Sequence, residues 1–179
     1  MQPMPLTSTQ IGAIGENLLV NAVMKASDGR LSPFQPIADD DGLDVLFFDK
    51  QTGNSVAIQL KCRTGSIRKR ASEERGNQVH FHVRQATFNQ ARTAYLVAAL
   101  FNEELTEFLC TWFIPMHLLP KLGKDNSDRY VIRPSKSASS KDKYTGYRCM
   151  TAAELVQKII AVCEGKADPV MTTLASPSL

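Results

Sequence analysis

The sequence predicts a single α/β domain in which a central mixed β-sheet is flanked by helices. Several short segments alternate apolar and polar residues at period 2, as strands do, and two longer segments carry helix-capping signals. A length of 179 residues, 43% of them hydrophobic, suits one compact core and leaves no length for a second. We expect the domain to span residues 1–166. The aperiodic residues 167–179 are expected to form a flexible tail.

Composition excludes several classes of protein. No apolar run approaches the roughly 18–20 residues that span a membrane, so no membrane partner is expected. The first ten residues lack the basic and apolar regions of a signal peptide. The cysteines lie far apart without a CxxC pair, which favours reduced thiols in a cytoplasmic protein over disulfides or a zinc site. They are Cys62, Cys110, Cys149 and Cys163.

The charge is unevenly distributed along the chain. The formal net charge is only +3, but residues 1–60 carry three basic and seven acidic groups, whereas residues 61–179 carry 18 basic and 11 acidic groups. A basic surface next to an acidic region favours a polyanionic partner such as nucleic acid.

The first predicted element is a helix over residues 9–26. Thr7 and Gln10 have the spacing of a capping box before it. Apolar residues cover most of its circumference, so we expect a buried helix. Glu16 would then lie among apolar neighbours, where a carboxylate is costly without a partner.

A β-hairpin is predicted next, with strands at residues 43–48 and 55–62. The segment between them has turn composition. Matching apolar faces fix the register so that Phe47 lies opposite Val56. Asp44 then lies opposite Gln59 with Lys61 on the diagonal, which groups three polar side chains at one end of an otherwise apolar face.

The rest of the chain predicts alternating strands and helices. In order, we expect a basic connection over 63–75, a strand over 78–83, a short helix over 85–92, two paired strands over 94–101 and 108–114, a polar low-complexity loop over 135–143 and a closing helix over 151–164.

The polar group on the hairpin has the composition of a site for a hard cation. Carboxylates of Asp44 and Glu16 suit Mg²⁺ or Mn²⁺, and the amide oxygen of Gln59 and the backbone carbonyl of Leu60 can add to them. Such a metal activates water and polarises phosphate oxygens. Lys61 can stabilise developing negative charge. The expected reaction is hydrolysis of a phosphodiester.

These residues resemble the motifs of the PD-(D/E)xK nuclease superfamily. The matching segments are IGAIGE, ending in Glu16, DGLD, ending in Asp44, and QLK, which holds Gln59 and Lys61. Gln59 stands where most members carry Asp or Glu, as in the QxK form of Mrr-like and Holliday-junction-resolvase-like branches. Over residues 9–115 the resemblance implies a restriction-endonuclease-like αβββαβ core and metal-dependent cleavage of nucleic acid, with DNA favoured over RNA. It also implies that the carboxylates ligate the metal while the lysine assists at the scissile phosphate.

Basic residues follow Lys61 directly and are expected to contact nucleic acid. They are Arg63, Arg68, Lys69, Arg70 and Arg75. A second basic set, which includes Lys124, Arg129 and Arg133, surrounds the polar loop and is either a further contact or an ordinary solvated surface. Homodimerisation would let a domain with one site cut both strands of a duplex.

Other interpretations stay open at this stage. Glu16 could pair with Lys25 or Arg30, Asp44 could close an Asx turn, and Lys61 could be an edge-strand lysine. The scaffold could then be a catalytically inactive nucleic-acid-binding module or an interaction subunit.

Several further residues are ambiguous. For Asp39 to Asp41, a solvated loop is favoured over a role as metal ligands. For Trp112, a place in the core is favoured over a role as a base-stacking platform. His80 and His82 are favoured as surface or hydrogen-bonded residues over a metal pair, and Gln85 is a weaker candidate for the site.

Overall fold

The structure is a computed structural model that describes residues 5–37, 42–67, 76–89 and 91–166. The expected tail and Asp39 to Asp41 lie outside these described residues. So do four of the five predicted nucleic-acid contacts, namely Arg68, Lys69, Arg70 and Arg75.

Three helices and nine strands follow one another along the described chain, with short 3-10 turns between some of them. The first half contains α1 (Ser8–Ala26), β1 (Leu31–Phe34), β2 (Val45–Asp49), β3 (Ser55–Arg63), β4 (Phe81–Arg84) and β5 (Ala94–Phe101). The second half contains β6 (Phe108–Pro115), α2 (Leu119–Leu122), β7 (Lys124–Asn126), β8 (Arg129–Ile132), β9 (Arg148–Cys149) and α3 (Ala152–Cys163).

Six of the strands form a central sheet in the order β1-β2-β3-β5-β6-β9. The sheet is mixed, because β3 and β5 run parallel while the other neighbours are antiparallel. One face packs on α1 and α3 through a core that includes Leu19, Phe47 and Ile159. The other face packs on α2 and on a second sheet of order β4-β8-β7. The predicted α/β class with a central mixed sheet is confirmed.

Helix α1 begins as predicted and is buried less than predicted. Thr7 is its N-cap, and the reciprocal hydrogen bonds between Thr7 and Gln10 form the capping box. Its fully buried residues are Gly15, Leu19 and Val23, which form one stripe facing the sheet. The expectation of burial on nearly all sides is wrong, because the sheet covers only that stripe.

Gly15 allows α1 to lie directly against β3. A Cβ at this position would clash with Cys62 Sγ and would lie 3.4 Å from Phe101 Cζ. The helix backbone therefore approaches the strand more closely than any side chain would permit. This approach also brings the next residue of the helix, Glu16, to the end of β3.

Substituting Gly15 with alanine is expected to lower the free energy of unfolding by about 1–3 kcal/mol, because the added methyl overpacks this contact. Gly12 on the same helix is the matched control, since a Cβ there meets nothing within 4 Å. Gly12→Ala should instead gain about 0.5–1 kcal/mol from its better helix propensity. Urea unfolding measures both. Equal effects of the two substitutions would contradict the close approach.

The predicted hairpin forms with the predicted register. Phe47 pairs with Val56 and Val45 with Ile58. All four side chains lie in the core under α1 and α3. Leu43 differs from its expected place, because it precedes the strand and packs against the second core instead. The hairpin thus fixes where Asp44 meets β3.

The segment between β3 and β5 differs from the prediction. The expected strand over 78–83 corresponds to β4, which belongs to the second sheet, and the expected helix over 85–92 is a single 3-10 turn at Gln85–Thr87. In the expected αβββαβ order, β4 and this turn take the place of the second helix. Because residues 85–92 carry few apolar side chains, little favours docking a longer helix there.

The last predicted helix, α3, is present with its predicted cap. Helix α3 is capped by Thr151, whose side chain accepts from the Glu154 backbone, and Gly165 follows it with a positive φ of 67°.

The polar loop over 135–143 is held in place by side-chain hydrogen bonds. Asp142 accepts from the Ser135 backbone, and Arg148 donates to the Ser137 and Ala138 carbonyls. Within the described residues, no helix has the length and apolarity to cross a membrane.

Candidate active site

Asp44 lies where β2 begins and is bonded to β3 on both sides of Gln59. Its backbone N–H donates to the Ile58 carbonyl at 2.9 Å, and its carboxylate oxygen Oδ2 accepts from the Leu60 backbone N–H. The side chain therefore occupies a ladder position that the backbone of a residue before Asp44 would fill if β2 continued. These two bonds hold the carboxylate at the edge of β3.

Gln59 is buried, with 1% of its surface exposed. Its Nε2 donates to Thr87 Oγ1 at 3.4 Å, while the Thr87 hydroxyl donates to the Arg84 carbonyl at 3.1 Å. Because the Thr87 proton is already used, this hydroxyl can only accept from the glutamine, which orients the amide. The carbonyl oxygen Oε1 is thereby left buried, and no described residue donates to it.

Gly42 closes over Gln59 from the other side. It adopts a φ of 67°, and a Cβ there would lie 2.8 Å from Gln59 Nε2 and 2.8 Å from Thr87 Cβ. Only glycine fits this left-handed and crowded position. The glycine of the Gly-x-Asp segment thus has a structural reason, which is to let the chain pass over Gln59 before reaching Asp44.

Glu16 on α1 and Lys61 on β3 both lie within electrostatic range of Cys62, near the end of β3. The half-buried Cys62 thiol has its pKa raised to about 12, chiefly by desolvation and further by the carboxylates of Asp44 and Glu16, while the Lys61 ammonium acts in the opposite direction. One thiol therefore senses both carboxylates and the lysine. Lys61 follows Gln59 by two residues, so both side chains lie on the same face of β3.

The Leu60 carbonyl points to this region as well. In a strand, the N–H and C=O of one residue point to the same neighbouring strand. Since the Leu60 N–H bonds to Asp44, its carbonyl also faces the side where β2 has not yet begun. The strand edge thus adds a backbone oxygen to those of the surrounding side chains.

The resulting donor set is rich in oxygen and poor in nitrogen and sulfur. It comprises two carboxylates, one buried amide oxygen and one backbone carbonyl. In the ranges that the structure describes, no group of three or more His, Cys, Asp and Glu is arranged to hold a metal. A cation at this position would therefore depend on neutral oxygens together with Glu16 and Asp44, a set that suits a hard divalent ion.

Other candidates from the sequence take structural roles. Arg30, a possible partner of Glu16, forms ion pairs with Asp49 and Glu164. Trp112 is fully buried, as expected for core. Gln85 donates to Asp125 at 2.7 Å, and Thr87 is the residue of that turn that contacts Gln59. The sequence offers no signal for Thr87, because its role depends on β4 packing beside β3.

Arg63 is the described member of the predicted nucleic-acid contacts. Its Nε donates to the His80 carbonyl at 2.7 Å, which ties the end of β3 to the segment leading into β4. The guanidinium group stays largely exposed two residues beyond Lys61. Arg63 therefore combines a structural bond with a position beside the candidate site.

Comparison with solved structures finds a similar fold in an endonuclease. That structure is a bacterial homing endonuclease, I-Ssp6803I, with a TM-score of 0.50 and 19% sequence identity over 87% of this chain and 97% of the other. At this identity the similarity is one of fold. No protein-family model matches the chain. No curated protein matches it either.

Proposed function

We propose that the protein is a metal-dependent nuclease that hydrolyses phosphodiester bonds of DNA, as the QxK form of the PD-(D/E)xK superfamily would. The observation that carries the proposal is the buried Gln59 Oε1, which no described residue satisfies. Its position next to Asp44, at the end of β3 that Glu16 also approaches, supports a shared role for these groups. The fold similarity to an endonuclease supports the same reaction class.

The unsatisfied oxygen fits a bound cation. Leaving a buried acceptor without a partner costs about 1–3 kcal/mol, so such an atom needs a compensating ligand. A divalent cation held by Asp44, Glu16, Gln59 and the Leu60 carbonyl would satisfy it. When bound, Mg²⁺ or Mn²⁺ would supply Lewis acidity to a phosphate oxygen and lower the pKa of a coordinated water.

The protein residues supply positioning and charge. The Leu60 N–H fixes the Asp44 carboxylate, and Thr87 fixes the Gln59 amide. Such outer contacts orient the groups that hold a metal. Lys61 carries an ammonium with three donor protons, which can orient an attacking water or stabilise charge that develops on the phosphate.

Metal-dependent cleavage of a random-sequence DNA duplex library, with new ends mapped by sequencing, tests the proposal. We expect new ends with Mg²⁺ or Mn²⁺ and none with EDTA. Gln59→Met keeps the side-chain length but removes the oxygen, so it should raise the metal concentration needed for half-maximal cleavage about tenfold or more. Gln157→Met, at an exposed position on α3, is the matched control and should leave it unchanged.

The library removes dependence on any one target sequence. If the wild-type protein produces no new ends with either metal, the proposed reaction is wrong. Duplex binding that persists unchanged in EDTA without cleavage would identify the alternative, an inactive nucleic-acid-binding module on the same scaffold.

A further inference from the structure

The second sheet has an outer face that the candidate site does not use. On β4, Phe81 and Val83 are buried in the core, so His82 and Arg84 lie on the opposite face, together with His80 just before the strand. We call this surface the basic sheet face. The pairing of β4 with β8 and of β8 with β7 adds Arg129, Val131, Lys124 and Asn126 to it. The same register continues past β8 and places Arg133 opposite His80.

The basic sheet face is strongly cationic. Arg84, Arg129 and Lys124 contribute positive charge from three adjacent strands, and Arg133 adds a further charge directly after β8. Asp128, in the turn before β8, neutralises part of it through two hydrogen bonds from Arg129 at 2.9 and 3.0 Å. No hydrogen bond from the side chain of Arg84 or Arg133 is found within the described residues, and both are exposed. These two arginines are thus placed to bind an external anion.

Two histidine rings lie among these cations. Their centroids are 6.5 Å apart, and the buried atoms His80 Nε2 and His82 Nδ1 have no hydrogen-bond partner among the described residues. Burial lowers the pKa of both rings, and neighbouring arginines lower it further. Both effects favour the neutral form of the rings. The positive charge of the face comes from its arginines and lysine.

The basic sheet face is joined to the candidate site at two points. The Arg63 side chain at the end of β3 donates to the His80 carbonyl. At the other end of β4, Thr87 accepts from Gln59. A long polyanion that passes the end of β3 could therefore continue along β4. Charge complementarity over such a distance suits a phosphate backbone.

We propose that the basic sheet face binds the phosphate backbone of duplex DNA beside the candidate site. The inference rests on the proposed function and specifies where that function takes its substrate. Arg84 and Arg133 would contact phosphates, because a guanidinium group can donate two parallel hydrogen bonds to one phosphate. Phosphate contacts position the duplex without reading its sequence.

Duplex binding in EDTA tests the proposal apart from cleavage. The full-length Arg84→Gln/Arg133→Gln variant should bind a DNA duplex about tenfold or more weakly than wild type. For this variant, the slope of log affinity against log salt concentration should be shallower by nearly two, since each phosphate contact contributes about 0.9 to the slope. Lys25→Gln/Lys50→Gln removes two exposed charges outside the basic sheet face and should change both quantities little.

The outcomes separate this inference from the proposed function. A wild-type protein that cleaves DNA, with an arginine variant that matches the lysine control in affinity and salt dependence, would overturn the inference alone. If the wild-type protein never cleaves DNA but the arginine variant loses affinity and salt dependence, the proposed nuclease function is wrong. DNA binding by the basic sheet face is then supported. Circular dichroism of each variant confirms that the fold is kept.

Discussion

Replacing Asp44 with asparagine is expected to lower the rate of metal-dependent DNA cleavage by about 10³-fold or more, equivalent to about 4 kcal/mol in the activation free energy. Asparagine keeps an oxygen that can accept from the Leu60 N–H, so the start of β2 stays in place. It removes the negative charge that would attract a divalent cation. The free energy of unfolding should therefore change by less than about 1 kcal/mol.

Single-turnover cleavage in saturating Mg²⁺ and Mn²⁺ measures this loss, and urea unfolding measures the stability. Asp125→Asn is the matched control, because Asp125 is an exposed carboxylate on β7 that bonds to Gln85. Its rate should match wild type. An Asp44→Asn variant that cleaves within a few-fold of wild type would remove Asp44 from the proposed site.

Asp49→Asn should have the opposite consequence, a loss of stability of about 3 kcal/mol with little change in the cleavage rate of the folded protein. Asp49 is fully buried and accepts from Arg30 at 2.8 and 2.7 Å, and from the Thr52 hydroxyl. Removing one partner of such a pair leaves a poorly compensated charge on a largely buried arginine. The Arg30 pair with Glu164 limits the loss.

Acid should reduce the difference between wild type and Asp49→Asn. Hydrogen bonds from Arg30 hold the pKa of the Asp49 carboxyl well below its usual range. A depressed folded-state pKa contributes stability above the unfolded value of about 3.9 and loses it as the pH falls toward the folded value. The free energies of unfolding of wild type and Asp49→Asn, measured in urea, should therefore differ strongly at pH 7. The difference should shrink below pH 4. Equal stability at pH 7 would contradict this assignment.

The sequence predicts the hairpin and most of the central sheet because local chemistry determines them. Apolar residues at period 2 on both strands allow one register that buries them all, and the pairing of Phe47 with Val56 confirms it. Helix α1 is predicted equally well, since Thr7 and Gln10 satisfy its first turn. The position of Asp44 next to Gln59 follows directly from that register. The assignment of Glu16, Asp44, Gln59 and Lys61 as catalytic residues stays a prediction.

The remainder of the site depends on packing between distant segments. A short strand such as β4 has the same pattern whether it joins the central sheet or a second one, so the position of Thr87 could not be inferred. The Arg30 pairs have the same origin, because Asp49 and Glu164 lie 19 and 134 residues away in the chain. The basic sheet face likewise exists only once β8 pairs between β4 and β7.

The parallel pairing of β3 with β5 has a consequence for the order of folding. Each pair in that ladder joins residues 37 positions apart, such as Ala57 with Ala94, whereas β2 and β3 are connected by a short turn over residues 50–54. Closing the longer loop costs more chain entropy, and non-local pairing slows folding. The hairpin that positions Asp44 and Gln59 can therefore form early, while the centre of the sheet assembles around it late.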